Sequence, residues 1–233
     1  MRGMKRSWAF GLAGWLLCGA CLAGEWVWVP RHLTREGKAG GFEMGREEVT
    51  VTEFVAFLNG AGVSDYPDTA QIERRPAGTF AARRGAGRQA VTEVTAGEAE
   101  AYGRWRSQQT GREERLPTEA EWEAAARGGV DGAPYPWGWG GPPSELAQFD
   151  AEGPAKRGGL FMANGFGLFD MGGNVYEWCA RGPDLPEGSR AARGGSWAER
   201  DPARLEVRHR QAFGEGYRGR DVGFRMVRKA NDR

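Results

Sequence analysis

Gly167-Leu168-Phe169-Asp170-Met171-Gly172-Gly173-Asn174-Val175-Tyr176-Glu177-Trp178 has strand-like residues at both ends, around Phe166 to Phe169 and Val175 to Cys179, with a glycine pair between them. The glycines permit a tight turn. Around this segment the chain from residue 128 onward is mostly turn sequence: Tyr-Pro-Trp-Gly-Trp-Gly-Gly-Pro-Pro at 135–143, Gly158-Gly159 and Gly194-Gly195. Further strand-like runs occur only at Gly195 to Trp197 and Phe224 to Val227. A half built this way needs internal fasteners to hold one shape. Tryptophans seated among glycine turns are one kind, since each ring buries about 200 Å², and cations held by carboxylates and backbone carbonyls are another.

The composition agrees with that reading. Among 233 residues there are 38 glycines and 10 tryptophans, with a mean hydropathy of −0.60. This indicates a soluble, loop-rich fold and argues against a helix bundle, a coiled coil or a membrane protein. The length suits one domain of ordinary size, or two small ones, with a sizeable core. With 32 basic and 31 acidic residues the formal charge is +1, which gives no electrostatic case for nucleic acid or an acidic membrane surface. No repeat of 20 to 50 residues is present, so a solenoid or propeller is not expected.

Working toward the N-terminus, three helix starts carry the same signature. Thr50 with Glu53, Thr95 with Glu98 and Thr118 with Glu121 are each spaced for a capping box. Gly60, Gly111 and Gly128-Gly129 stand where these helices should stop. Phe54, Phe57 and Leu58, then Ala99, Tyr102 and Trp105, then Trp122, Ala125 and Ala126 form their apolar faces. Residues 60–90 read as loop with one short strand, 37–45 as a glycine-rich lead-in, and 25–30 as an opening strand ended by Pro30.

The first residues read as a targeting segment. Arg2, Lys5 and Arg6 precede an apolar run from Trp8 to Leu22 and small residues at Ala20, Ala23 and Gly24. This is the layout of a signal peptide spanning residues 1–23, with the folded domain at 25–230. The expected product is exported, periplasmic or secreted, with no membrane span after cleavage. The alternative is a lipoprotein anchored at Cys21, but Cys18 stands where a lipobox carries an aliphatic residue. Cleavage leaves Cys179 as the one cysteine, so no internal disulfide is possible. That thiol is either buried and inert or a site for intermolecular reaction.

Five ordered motifs then assemble: Leu-Pro-Thr-Glu-Ala-Glu-Trp-Glu-Ala-Ala-Ala-Arg-Gly-Gly (116–129), Tyr-Pro-Trp-Gly (135–138), the 167–178 segment, Arg-Gly-Gly-Ser-Trp (193–197) and Gly-Phe-Arg (223–225). Phe-Glu-Met-Gly (42–45) and Glu-Val-Thr (48–50) fit the same order. Together they resemble the formylglycine-generating enzyme family, also called sulfatase-modifying factor domains. The resemblance covers about residues 40–227. It implies an α+β domain, a variant of the C-type lectin fold rich in irregular structure.

The family's chemistry transfers only in part. Its oxidases convert a client cysteine with molecular oxygen, using two cysteines after the Gly-Gly-Ser element that hold copper(I). Thiolates suit that role as soft ligands able to exchange with a thiol. Counted without gaps, those positions fall here on Glu199 and Arg204, which can do neither, so copper and formylglycine generation are not expected. Two matching carboxylates point elsewhere. By resemblance, a structural calcium site uses the side chains of Asp170 and Glu177 and the carbonyls of Gly173 and Val175. The family's other calcium site is not expected, because Leu146-Ala147-Gln148-Phe149 occupies its place. The alternative without metal has Asp170 capping the turn and Glu177 paired with an arginine.

From Arg181 onward twelve arginines and one lysine face eight acidic residues. A ligand cleft is therefore expected from Trp178, Ser196, Trp197, Glu199, Arg204, Arg208 and Arg210, with the arginines suited to a carboxylate, sulfate or phosphate. The competing reading is an arginine-rich surface tied up by Glu199, Asp201 and Glu206. His32 and His209 are too scattered for a metal pair, and Trp137 and Trp139 read as packing against turns or as a platform for a flat ligand. The function expected is a non-enzymatic binding or scaffold module for a peptide, a protein or a small anionic ligand. The alternatives are an oxidoreductase with altered chemistry on the same scaffold and a true sulfatase-modifying oxidase.

Overall fold

The computed structural model describes residues 25–30, 41–141 and 143–230. The signal-peptide reading at 1–23 and His32 fall outside them. Strand β1 (Trp26–Pro30) pairs antiparallel with β2 (Gly41–Gly45), and helix α1 (Val51–Gly60) follows. A hairpin of β3 (Ile72–Arg74) and β4 (Phe80–Ala82) precedes α2 (Ala96–Thr110), β5 (Glu114–Arg115), α3 (Glu119–Ala126) and the short α4 (Pro143–Leu146). After a long irregular stretch come β6 (Tyr176–Trp178), β7 (Ser189–Arg193), β8 (Gln211–Gly214), β9 (Val222–Gly223) and β10 (Val227–Lys229). One sheet runs β1-β2-β10-β5 and is antiparallel throughout. The other runs β8-β7-β6-β9, where β6 and β9 are parallel. The α+β class is thus the one expected.

All three capping boxes form: the side chains of Thr50, Thr95 and Thr118 accept from the backbone N–H of Glu53, Glu98 and Glu121, whose carboxylates return to the cap backbone. Gly111 terminates α2 in the left-handed conformation at φ +68°. Gly60 instead remains inside α1, and Ala61 is the cap. The strand expectations need more correction. Residues 60–90 contain a hairpin, residues 41–45 form β2, and neither Phe166 to Phe169 nor Gly195 to Trp197 is a strand. Gly194 and Gly195 take φ of +95° and +72° and end β7, which the sequence did not announce.

Two apolar clusters support the sheets. One joins Phe54, Tyr66, Tyr102, Trp178 and Phe224, and the other joins Phe42, Met44, Trp122, Met171 and Cys179. Both clusters use tryptophans whose N–H groups are satisfied in the interior: Trp178 Nε1 donates to the Val94 carbonyl at 2.9 Å and Trp122 Nε1 to Glu177 Oε2 at 2.7 Å.

Candidate functional site

Glu177 lies on β6, between β7 and β9, where a charged carboxylate survives only with partners. Arg225 grips it in a fork, Nη2 to Oε1 at 2.6 Å and Nε to Oε2 at 2.7 Å, with both side chains all but inaccessible. The other arginine N–H groups reach the carbonyls of Gly45, Arg46 and Phe169. Glu177 thus has the arginine partner foreseen in the metal-free alternative, yet Oε1 receives a single described donor and keeps a lone pair.

Asp170 sits in the left-handed region at φ +53° and accepts the Gly159 N–H at 2.7 Å. Burial pushes its carboxyl up to about 6, helped by the charges of Glu47 and Glu177 and opposed by that hydrogen bond and Arg225. Asn174, also left-handed, ties Glu48 Oε1 to the Lys156 backbone N–H through its amide. Burial and the nearby Asp170 hold Glu48 well above the usual carboxylate range, and its Oε2 has no hydrogen-bond partner among the described residues. Three carboxylates therefore surround one guanidinium. No described hydrogen bond ends on the buried carbonyls of Gly173 or Val175. This excess of oxygen donors fits a hard cation. No three His, Cys, Asp or Glu side chains among the described residues converge as a metal-ligand set, so a cation here needs the backbone carbonyls.

The C-terminal segment brings together a second group. The Tyr176 hydroxyl donates to Glu199 Oε1 at 2.7 Å, and burial together with that carboxylate pushes the phenol up. Arg204 Nη1 lies 3.4 Å from His209 Nε2 and 3.5 Å from Gln211 Oε1. Burial and the Arg204 charge lower the His209 pKa, which favours the neutral ring. Tyr176 and His209 face each other with ring centres 6.4 Å apart, so Glu199 and Arg204 flank one partly exposed polar patch.

The remaining residues expected in the cleft separate from it. Trp178 is wholly inside the core, too deep for ligand contact. Ser196 is fully buried and donates to Asp221 Oδ2 at 2.8 Å. Trp197 packs against Ala90, Ala155 and Val175. Arg208 pairs with Glu206 and Arg210 with Glu119, as the surface-ion-pair reading foresaw for Glu206. Asp201 instead caps a 3-10 turn at Pro202–Leu205. Trp137 stacks on Tyr135 at 4.8 Å, whereas Trp139 is 70% exposed. Cys179 is buried, and burial pushes its thiol far up, which disfavours the nucleophilic thiolate.

Sequence reasoning missed Glu48, Tyr176 and His209 as site members. Arg225 was visible as part of Gly-Phe-Arg, and the need of a strand-embedded Glu177 for a cation was the signal that could have paired them.

Residues 29–230 match the sulfatase-modifying factor enzyme 1-like domain. The chain is 41% identical over 105 residues to a formylglycine-generating enzyme of Thermomonospora curvata, covering 39% of this chain and 32% of that protein. It is 36% identical over 139 residues to the inactive C-alpha-formylglycine-generating enzyme 2 of Bos taurus, covering 54% and 44%. These matches span less than half the length of either relative. Among solved structures, PvdO from Pseudomonas aeruginosa superposes with a TM-score of 0.67 at 29% identity, covering 82% of each chain.

Proposed function

The chain belongs to the sulfatase-modifying factor enzyme 1-like family, and from that premise we propose that it is an exported binding module rather than a formylglycine-generating oxidase. One observation carries the reading: Glu199 and Arg204, which the resemblance aligns with the oxidase thiols, are joined to Tyr176, His209 and Gln211 in a polar patch. A carboxylate and a guanidinium cannot hold copper(I) as thiolates do or form a mixed disulfide with a client cysteine. Cys179 is too deeply buried to substitute. Similarity to a relative named as inactive supports the same conclusion.

What the patch does is bind. Arg204 supplies planar N–H donors held by long contacts that a better acceptor would displace, and a neutral His209 adds one more donor beside it. Glu199, engaged by Tyr176, keeps the opposite side negative. The ligand is an anionic group on a peptide, protein or small molecule. Titrating the protein with a carboxylate- or sulfate-bearing peptide tests this: Arg204→Ala should weaken binding by about tenfold, the effect of one charge-assisted hydrogen bond. Equal affinity in both proteins would reject the site.

Calcium belongs to the same reading, as a structural ion. The carboxylates of Asp170 and Glu177 and the carbonyls of Gly173 and Val175 would hold it, and the ion would neutralise the carboxylate excess around Arg225. A signal peptide at 1–23 accounts for export, and the N-terminal residue of the secreted product checks the cut after Ala23.

A further inference from the structure

A groove of about 520 Å³ opens beside the start of α1 and shares no lining residue with the Glu199–Arg204 patch. Its walls are two chain segments held at fixed spacing. After β4 the chain turns through Gly85, at φ +84°, and the Gly87 carbonyl accepts the Thr52 backbone N–H at 3.0 Å and the Thr52 hydroxyl at 2.8 Å. Residues 156–160 run alongside. The Ala90 N–H donates to the Lys156 carbonyl at 3.0 Å, Gln89 pairs with Arg157 across an antiparallel bridge, and the Lys156 N–H is anchored on Asn174 Oδ1 at 2.9 Å. Opposed residues of such a bridge project to one side, so Gln89 and Arg157 meet the groove together.

The lining is one-sided in charge. Arg88, Lys156 and Arg157 are exposed along it, and no carboxylate lines it. None of the three forms an ion pair among the described residues, whereas Arg190, Arg193, Arg210 and Arg228 each close on glutamates. Glu47 lies against Gly158 and Gly159, past the lining. Gln89 adds a neutral donor: its Oε1 accepts from Gln71 Nε2 at 3.2 Å, which leaves its own Nε2 without a described acceptor and in contact with solvent. Three cations around one groove repel one another unless an anion sits among them. A multiply charged oxyanion answers every group, since arginine forks take two oxygens at a time, the lysine supplies a point charge and Gln89 reaches a further oxygen. We propose that this groove is a second anion site and takes a phosphate monoester, whose roughly two negative charges suit three cations better than a single carboxylate does. The exposed Leu160 offers the carrier an apolar contact. A soluble ester and a lipid headgroup share this chemistry.

Calorimetric titration with phenyl phosphate at about pH 8, where the ester is a dianion, tests the site, with benzoate as the singly charged comparison. Phenyl phosphate should bind saturably, benzoate at least about tenfold more weakly, and added salt should weaken binding because exposed cations are screened. Arg88→Gln and Arg157→Gln, neither of which breaks a described contact, should each weaken it about threefold or more, while Arg204→Ala should leave it unchanged. Flotation with phosphatidylcholine vesicles containing phosphatidic acid separates the two sources. Flotation that Arg157→Gln reduces assigns the phosphate to a lipid, and phenyl phosphate binding without flotation assigns it to a soluble ester. No saturable binding up to about 10 mM, together with no flotation, overturns the proposal. So does equal affinity for benzoate, or phosphate binding that both groove variants leave unchanged or that Arg204→Ala removes.

Discussion

At the scale of single residues, the interior is organised by Arg225, a guanidinium fully enclosed and shared among Glu177 and three carbonyls. Truncating it strands a buried carboxylate. Arg225→Ala should therefore cost about 3–5 kcal/mol, the range for breaking a buried pair from one side, and a lower urea midpoint with unchanged slope would verify it. Asp170 supplies the complementary test. Its folded pKa of about 6 lies above the ordinary 3.8, so the folded state holds a proton that the unfolded chain releases. In calcium-free protein this contribution is complete below about pH 4 and falls away as pH rises through 6, by up to about 3 kcal/mol. Calcium should cancel the loss. Chelation at pH 7 should lower the melting temperature, and Asp170→Ala should remove that response; an unchanged melting temperature on chelation would refute the site.

At the scale of elements, the three capping boxes were legible because they depend on side chains three positions apart. Thr95→Ala removes the acceptor for Glu98 N–H and should destabilise by about 1 kcal/mol in chemical denaturation. Strands were less legible, for a physical reason. Ser189-Arg190-Ala191-Ala192-Arg193 lacks branched or aromatic residues, yet it lies between β6 and β8 because its arginines are neutralised from outside: Arg190 by Glu100 and Glu215, Arg193 by Glu119 and Glu123. Those acids lie as far as 90 residues away in sequence, where local periodicity carries no record of them. Of the hairpin of β3 and β4 only one short strand was expected, because each strand is three residues long.

At the scale of the whole molecule, the positive C-terminal segment is in part a structural device. Arg190, Arg193, Arg210, Arg225 and Arg228 all end on carboxylates supplied by other parts of the chain. The residue tally alone read as an anion-binding surface, and folding ties much of that surface into ion pairs while leaving Arg204 beside His209 and Gln211. The motif order made the architecture legible, because glycine turns and tryptophans are tied to it. The membership of the cleft was not, since Trp178 and Ser196 sit in motifs whose side chains face inward. No helix among the described residues is long and apolar enough to cross a membrane.

The central claim is that the scaffold operates without thiol oxidation. Incubating the protein with a Cys-X-Pro-X-Arg peptide, copper(I) and oxygen, and following the peptide by mass, tests it most directly. The account predicts that the cysteine peptide is recovered unchanged, with no aldehyde product; multiple-turnover formation of the aldehyde would contradict it.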